Sequence, residues 1–591
     1  MGMDHGLTGY TVRNPTNNRV SDDAVALVQK LPSVGELFLT NGTDFAREFA
    51  DEISITATDS AECEDAVYEF AISDDGFALI TKCASAARHL DVPDQLAGAP
   101  VRVIASHAFS TCYKLESINL PDDLEQIHGY AFMNTALHRF CAPSHLMHIG
   151  VKAFYKCLEL HNVQLNEGLL SIGDSAFRES GLQSIEIPST TLVLGQGIFD
   201  GTGVSCGNVD PCLRINADNP RFFLIGGVIY ERCEDGLSLV QFVDEAIDSY
   251  VCPEEIEGAL VRIDDRAFAG KKKLKSIELP EGVRSIGEAA FRGCTSLVHV
   301  GLPDTLESLG FRAFWETTLQ DLYIPLALDT IGIAALHTGG TMAGSHAPTI
   351  KSVAVAEDNE RFYLYKGLLC ERKPDGGVVV LLYTGQDNPN GEVEIPREVT
   401  AIGPYAFSNA KGIRSLRFHS GVATIDISGF GFGAIVPEII YDDLETGKSY
   451  TIMVPPSSRG YTAMRQSFNR GTFDLETAYE LLDRATSVTQ DMLGRSRIML
   501  ARIKDPVLAQ PEVVQRFRNS LRGALEKIVV VFGRNGYPQG IDQLLETGIL
   551  DAGNIESAIE AAQAAGEIAV LSRLMEIRRT EFGAALFDFD L

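Results

Sequence analysis

The stretch IGEAAFRGCTSLVHVGLPDTLES, residues 286–308, carries an arginine, a histidine, a cysteine and several glycines, the residue types of a reactive site. Its neighbours give it a different meaning. Residues 263–285 read IDDRAFAGKKKLKSIELPEGVRS, and residues 309–330 read LGFRAFWETTLQDLYIPLALDT. Earlier copies start at 104 (IASHAFSTCYKLESINLPDDLEQ), 127 (IHGYAFMNTALHRFCAPSHLMH), 149 (IGVKAFYKCLELHNVQLNEGLLS) and 172 (IGDSAFRESGLQSIEIPSTTLVL). A late copy starts at 402 (IGPYAFSNAKGIRSLRFHSGVAT), with a degenerate one after it at 425. The period is 22–23 residues, so the stretch is one unit of an array.

The shared template is I-G-x-x-A-F-x-x-C-x-x-L-x-x-I-x-L-P. L-x-x-I-x-L reads as a short strand with alternate residues inward, and the proline after it ends the strand. The glycine of I-G is expected at a tight bend. Alanine beside phenylalanine alternates small and large side chains, which lets stacked coils interlock. One coil cannot bury its apolar face alone; stacked neighbours bury it together. The predicted fold is α+β and multidomain: a right-handed solenoid, with a curved sheet on its concave face, followed by an all-α C-terminal domain.

The template resembles the BspA-like class of leucine-rich repeats and recurs at least eight times over roughly residues 67–440. The resemblance implies protein–protein binding or adhesion, without catalytic residues to carry over.

A longer repeat lies over the short one. DNPRFFLIGGVIYERCEDG (218–236) aligns with DNERFYLYKGLLCERKPDG (358–376), 140 residues apart. Each holds two apolar runs joined around Asp-Gly, a strong hairpin signal. YEFAISDDGFALITKC (68–83) prefaces the first block in the same way. The expected divisions are a small α/β leader or cap at 1–66, hairpin-and-repeat blocks at 67–206, 207–340 and 341–455, a linker at 456–473 and a helical domain at 474–591. In the leader, helices are expected from Ser21 and Gly42. Helical periodicity in the last domain places amphipathic helices at 475–503 and 511–536 and a helix pair from Asn554 turning at Gly566. That pair resembles ankyrin repeats, although the T-P-L-H signature is missing.

Fifty basic against eighty acidic residues give a net charge of −30. Such a surface repels phosphate backbones and anionic lipid, so neither nucleic-acid binding nor membrane insertion is expected. Within 474–591 the balance is 13 basic to 18 acidic, so most of the charge lies before it. Eleven cysteines include no C-x-x-C pair and none lies beyond Cys370. Reduced thiols and a cytoplasmic location are expected, with surface or secreted placement as the alternative if an export signal precedes the sequence given.

No Walker, H-E-x-x-H or G-x-S-x-G motif occurs, and GQGIFDG (195–201) and GFGFG (429–433) read as decayed repeats. No cofactor, metal or catalytic residue is assigned. Six of the twelve histidines lie between 107 and 161 (His107, His128, His138, His145, His148, His161), read as surface residues at varied template positions. Cys112, Cys157 and Cys294 stand three residues after the repeat phenylalanine and are expected inside the coil as small apolar groups. Trp315 is expected to pack.

The outward positions of x-I-x-L are the candidate partner-binding face: Asn119, Arg139, Asn162, Gln164, Glu186, Glu278, His299, Asp321, Tyr323 and Arg417. Their neighbours Ser117, Cys141, Ser184, Ser276, Gly301 and Ser415 complete the rows. No aromatic stripe or ladder of one residue appears. The expected function is a non-enzymatic scaffold that binds a protein partner. An exported adhesin for host matrix or surface proteins, and an enzyme with its site in a terminal domain, are the alternatives.

Overall fold

The computed structural model describes residues 55–583 apart from 64, 205–211, 245–246, 253–257, 340–348, 386–387, 409–411, 427–435 and 468–472. The expected leader helices and GFGFG fall outside the described residues. The chain forms two compact units, residues 1–350 with 354–359, and 351–353 with 360–591.

Each coil contributes two short strands. In the first unit the I-G strands Gln126–Ile127, His148–Ile149, Ser171–Ile172 and Val193–Leu194 pair in parallel, one coil to the next. The x-I-x strands do the same on another face, as in Arg139–Cys141 with Asn162–Gln164 and in Ser249–Val251, Ser276–Glu278 and His299–Gly301. Between the two strands runs the A-F turn. Its phenylalanines stack into columns: Phe109, Phe132, Phe154, Phe177 and Phe199 have centroids 5.0, 5.3, 5.3 and 6.4 Å apart. Phe242, Phe268, Phe291 and Phe314 repeat this at 5.1, 5.0 and 5.3 Å. All are buried, and each ring contributes ~2–3 kcal/mol of apolar burial.

The I-G glycine has a different role from the one expected. Gly287 has no positive φ; the left-handed residues of its coil are Ala289 (φ 52°) and Gly293 (φ 75°). Gly287 is small because the preceding coil is close: a Cβ there would lie 2.5 Å from Asp265 N. Close approach, rather than a bend, selects glycine.

Each block opens with a three-stranded antiparallel meander, one strand more than the Asp-Gly signal foretold. The strands are Ile55–Cys63, Ala66–Ser73 and Ala78–Ala84 in the first block, and Phe222–Ile225, Val228–Cys233 and Gly236–Phe242 in the second. Phe362–Tyr365, Leu368–Arg372 and Val378–Tyr383 open the third. The expected leader therefore supplies a strand from Ile55. The overlooked turns are Gly226-Gly227 (φ 57° and 78°) and Lys366-Gly367 (φ 47° and 80°). The innermost strand of every meander then pairs in parallel with the first coil. A shared bulge precedes Phe70, Tyr230 and Cys370.

The repeated D-N-x-R-F segment reuses the same residues in both copies. Asn219 donates to Pro188 O and Thr191 O, both at 2.9 Å, and accepts from Phe222 N at 2.8 Å. Asn359 donates to Pro325 O at 2.7 Å. Arg221 pairs with Glu231, and Arg361 with Glu371.

The second unit has eight helices among the described residues: α1 (Ser458–Ser467), α2 (Leu475–Val488), α3 (Met492–Lys504), α4 (Pro511–Arg522), α5 (Leu525–Arg534), α6 (Gln539–Glu546), α7 (Ile555–Ala565) and α8 (Ile568–Glu581). The expected linker contains α1. Its Ala463 and Met464 share one core with Val436, Ile439 and Ile452 of the repeats and with Tyr479 and Leu482 of α2. A second core holds α3 to α8. The expected helix 475–503 breaks before α3, where Asp491 accepts from Leu493 N and Gly494 N and so starts a new helix. The expected helix 511–536 breaks likewise between α4 and α5. Across the α2–α3 break, Arg502 clasps Asp483 at 2.8 and 2.9 Å and lies over the Tyr479 ring. The turn at Gly566, left-handed at φ 74°, joins α7 to α8 as expected.

Candidate functional site

The strand I-x-L turns isoleucine inward and its flanking residues outward, because side chains alternate along a strand. Asn119, Arg139, Asn162, Gln164, Glu186, Glu278, His299, Asp321, Tyr323 and Arg417 are all exposed. Register sets them in rows. Asn162 stands opposite Arg139 and Gln164 opposite Cys141; Ser276 stands opposite His299 and Glu278 opposite Gly301.

Many of these residues join residues of neighbouring coils, contacts that the sequence of a single coil does not carry. Asn119 donates to Asp91 at 2.6 Å, and His89 Nδ1 meets Ser117 Oγ at 2.8 Å. His299 Nε2 lies 2.9 Å from Glu278 Oε1, and Tyr323 donates to Asp304 at 3.0 Å. Arg417 holds Asp442 with two hydrogen bonds, 2.7 and 3.1 Å, which keeps that carboxyl below its usual range. Laying the repeats in register would have exposed these pairs. Among the described residues, Arg139 forms no ion pair.

The histidines are sorted differently from expectation. His128 and His148 are buried, not on the surface. His128 takes the I-G glycine position and meets Gln126 Oε1 at 3.1 Å; His148 meets Ser171 Oγ at 3.0 Å. Burial lowers His128 to about 4 and His148 to about 3, with repulsion from His128 adding to the latter. His138 and His161 occupy one template position on adjacent coils, each just after the conserved leucine, contrary to the varied positions expected. Among the described residues, no group of three or more His, Cys, Asp or Glu is placed to hold a metal.

Cys157 and Cys294 are buried as expected, and they also hydrogen-bond. Each thiol donates to the phenylalanine carbonyl of the preceding coil, Phe132 O and Phe268 O, at 3.0 Å. Burial pushes Cys157 up to about 11 and Cys294 up to about 12, which suits packing and opposes nucleophilic use. Where threonine replaces cysteine, Thr135 and Thr317 donate to their own coil's phenylalanine carbonyl at 2.9 Å. Trp315 is buried beside His337, with Arg312 over its ring. GQGIFDG supplies Ile198 and Phe199 to the core, as a repeat coil does.

Residues 91–205, 261–341 and 387–449 match a family model described as BspA type leucine rich repeat region, in six copies. Among solved structures, the pneumococcal vaccine antigen PcpA is 16% identical, covering 66% of this chain and 95% of that one, at a TM-score of 0.42. A leucine rich cell surface protein from Faecalibacterium prausnitzii A2-165 is 18% identical over 65% and 95%, at 0.34. A leucine-rich repeat protein from Bacteroides ovatus is 15% identical over 65% and 99%, at 0.27. No curated protein matches the chain. No helix among the described residues is long and apolar enough to cross a membrane.

Proposed function

Because the matched blocks are BspA-type leucine-rich repeats, we propose that this protein is a non-enzymatic interaction scaffold that binds a protein partner on the x-I-x face. The observation that carries the reading is the contrast between fixed and free positions. The inward strand residues stay apolar and buried, as at Phe140, Val163, Ile185, Ile277, Val300, Leu322 and Leu416, while the exposed rows at 119, 139, 162, 164, 186, 278, 299, 321, 323 and 417 change from strand to strand. A stacked scaffold with a changing polar row suits recognition of one protein surface.

The test is capture of a partner by the full chain, repeated with Arg139→Glu and with Asn162→Lys/Gln164→Glu. Both sites are exposed, so folding should persist, checked by circular dichroism. Loss of capture supports the reading; unchanged capture by both variants rejects it. Arg417 is unsuitable because reversing it opens the Asp442 pair. A captured host matrix protein would make the scaffold an adhesin.

A further inference from the structure

The three meanders begin their coil stacks at one equivalent residue. Phe242 N donates to Ala267 O at 2.8 Å, Tyr383 N to Ala406 O at 2.7 Å and Cys83 N to Ala108 O at 2.7 Å. In the second and third blocks that residue is a ring that starts the aromatic column, Phe242 on Phe268 at 5.1 Å and Tyr383 on Phe407 at 5.7 Å. In the first block it is a cysteine, and the ring over Phe109 comes instead from Tyr68, at 6.5 Å.

The cysteine does not stand alone. Cys112 holds the coil position of Cys157 and Cys294, but no coil precedes it to offer a phenylalanine carbonyl. It donates to Cys83 O at 3.5 Å. Both side chains belong to one buried core, with the Cys112 thiol against the backbone of Cys83 itself. Both are buried, and Thr111 Oγ1 donates to the same Cys83 O at 3.4 Å, fixing strand against coil. In the second block the position of Cys112 is Lys271, opposite no cysteine. The departure from the aromatic pattern is thus a paired one.

We propose that Cys83 and Cys112 form a disulfide that latches the first meander to the first coil. Two thiols give up two electrons and two protons to a low-molecular-weight disulfide; the new S–S bond forms here, and that of the oxidant breaks into two thiols. Because both groups are buried, exchange takes place before this core closes or during local opening. A compartment that oxidises thiols stiffens the start of the stack; a reducing one leaves it to packing alone.

The full chain is refolded from denaturant with oxidised and reduced glutathione, blocked by alkylation and mapped by peptide mass. A linked pair of peptides carrying Cys83 and Cys112 is expected, with Tm raised by ~5 °C over the reduced chain. The rise disappears in Cys83→Ala and Cys112→Ser. Alkylation of both thiols after oxidative refolding, linkage of either to Cys63, or a link without any rise in Tm overturns the proposal. If a variant fails to fold, the map of the unaltered chain still decides.

Discussion

Two kinds of column run along the coils, and they obey opposite rules. The inward column is nearly one residue, phenylalanine, repeated from Phe109 to Phe199 and from Phe242 to Phe314. The outward rows never keep one residue. Rings stacked at about one strand spacing gain contact with each identical neighbour. Identical charges at that spacing repel. Where charged residues stand side by side on the x-I-x face they are therefore opposite, as in Glu186 with Arg214 and Glu394 with Arg417. Repetition marks what holds the coils, and variation marks what is free to be read by a partner.

The sharpest break of this contrast is Phe154→Ala set against Asn162→Ala. Phe154 touches Phe132 and Phe177 in the column and Phe140 beside it at 4.7 Å. Its truncation should cost ~4 kcal/mol, because a buried ring leaves a cavity between two fixed coils. Asn162, exposed, should cost under ~0.5 kcal/mol. Urea unfolding midpoints compare the two. A small loss at Phe154 would mean that the column is incidental.

Next comes Gly173→Ala. A Cβ there would lie 2.6 Å from Val151 N, backbone that a side-chain rotation cannot clear. A loss of ~2–3 kcal/mol is expected in the same measurement. No loss would restore the bend as the reason for the I-G glycine.

The repeats were legible because their signal is periodic and each apolar position has a single job. The meanders were half legible: Asp235-Gly236 announced one turn, while Gly226-Gly227 passed as part of an apolar run. The helix breaks were hidden because apolar periodicity carries across Thr489 to Asp491; only the capping carboxylate of Asp491 marks the restart. The exposed face was legible from strand alternation. Its cross-strand pairs were not, since Asn119 and Asp91 lie 28 residues apart in sequence and meet only through register. Burial of His128 and His148 was equally invisible, because it depends on what covers the I-G strands.

Those two histidines extend the contrast to pH. Both are held neutral by burial, at about 4 and about 3 against an unfolded value near 6.5. A depressed histidine stabilises the fold fully above ~pH 6.5, and that contribution drains away as pH falls toward the folded values. Buried Asp264, raised to about 7 by desolvation, acts in the opposite sense and loses stability as pH rises from the unfolded value near 4 toward 7. The chain with His128→Gln isolates the part of one histidine. Between pH 7 and 5 it should lose ~2 kcal/mol less than the unaltered chain, read from urea midpoints. Equal losses would show that His128 does not resist protonation in its buried site.

The smallest expected effect lies on the x-I-x face itself, between its two arginines. Arg417 grips Asp442 through two hydrogen bonds, yet its side chain is 46% exposed. Arg417→Ala should therefore cost only ~0.5–1 kcal/mol, and raising salt to ~1 M should shrink that difference as the charges are screened. Arg139→Ala should leave stability unchanged at both salt concentrations while weakening partner capture. Arg139 precedes the inward residue of its strand and Arg417 follows its own, but both point outward, so the comparison separates a side chain committed to its neighbour from one left for a partner. A salt-sensitive loss at Arg139 would place it with Arg417 among the residues that hold the coils together.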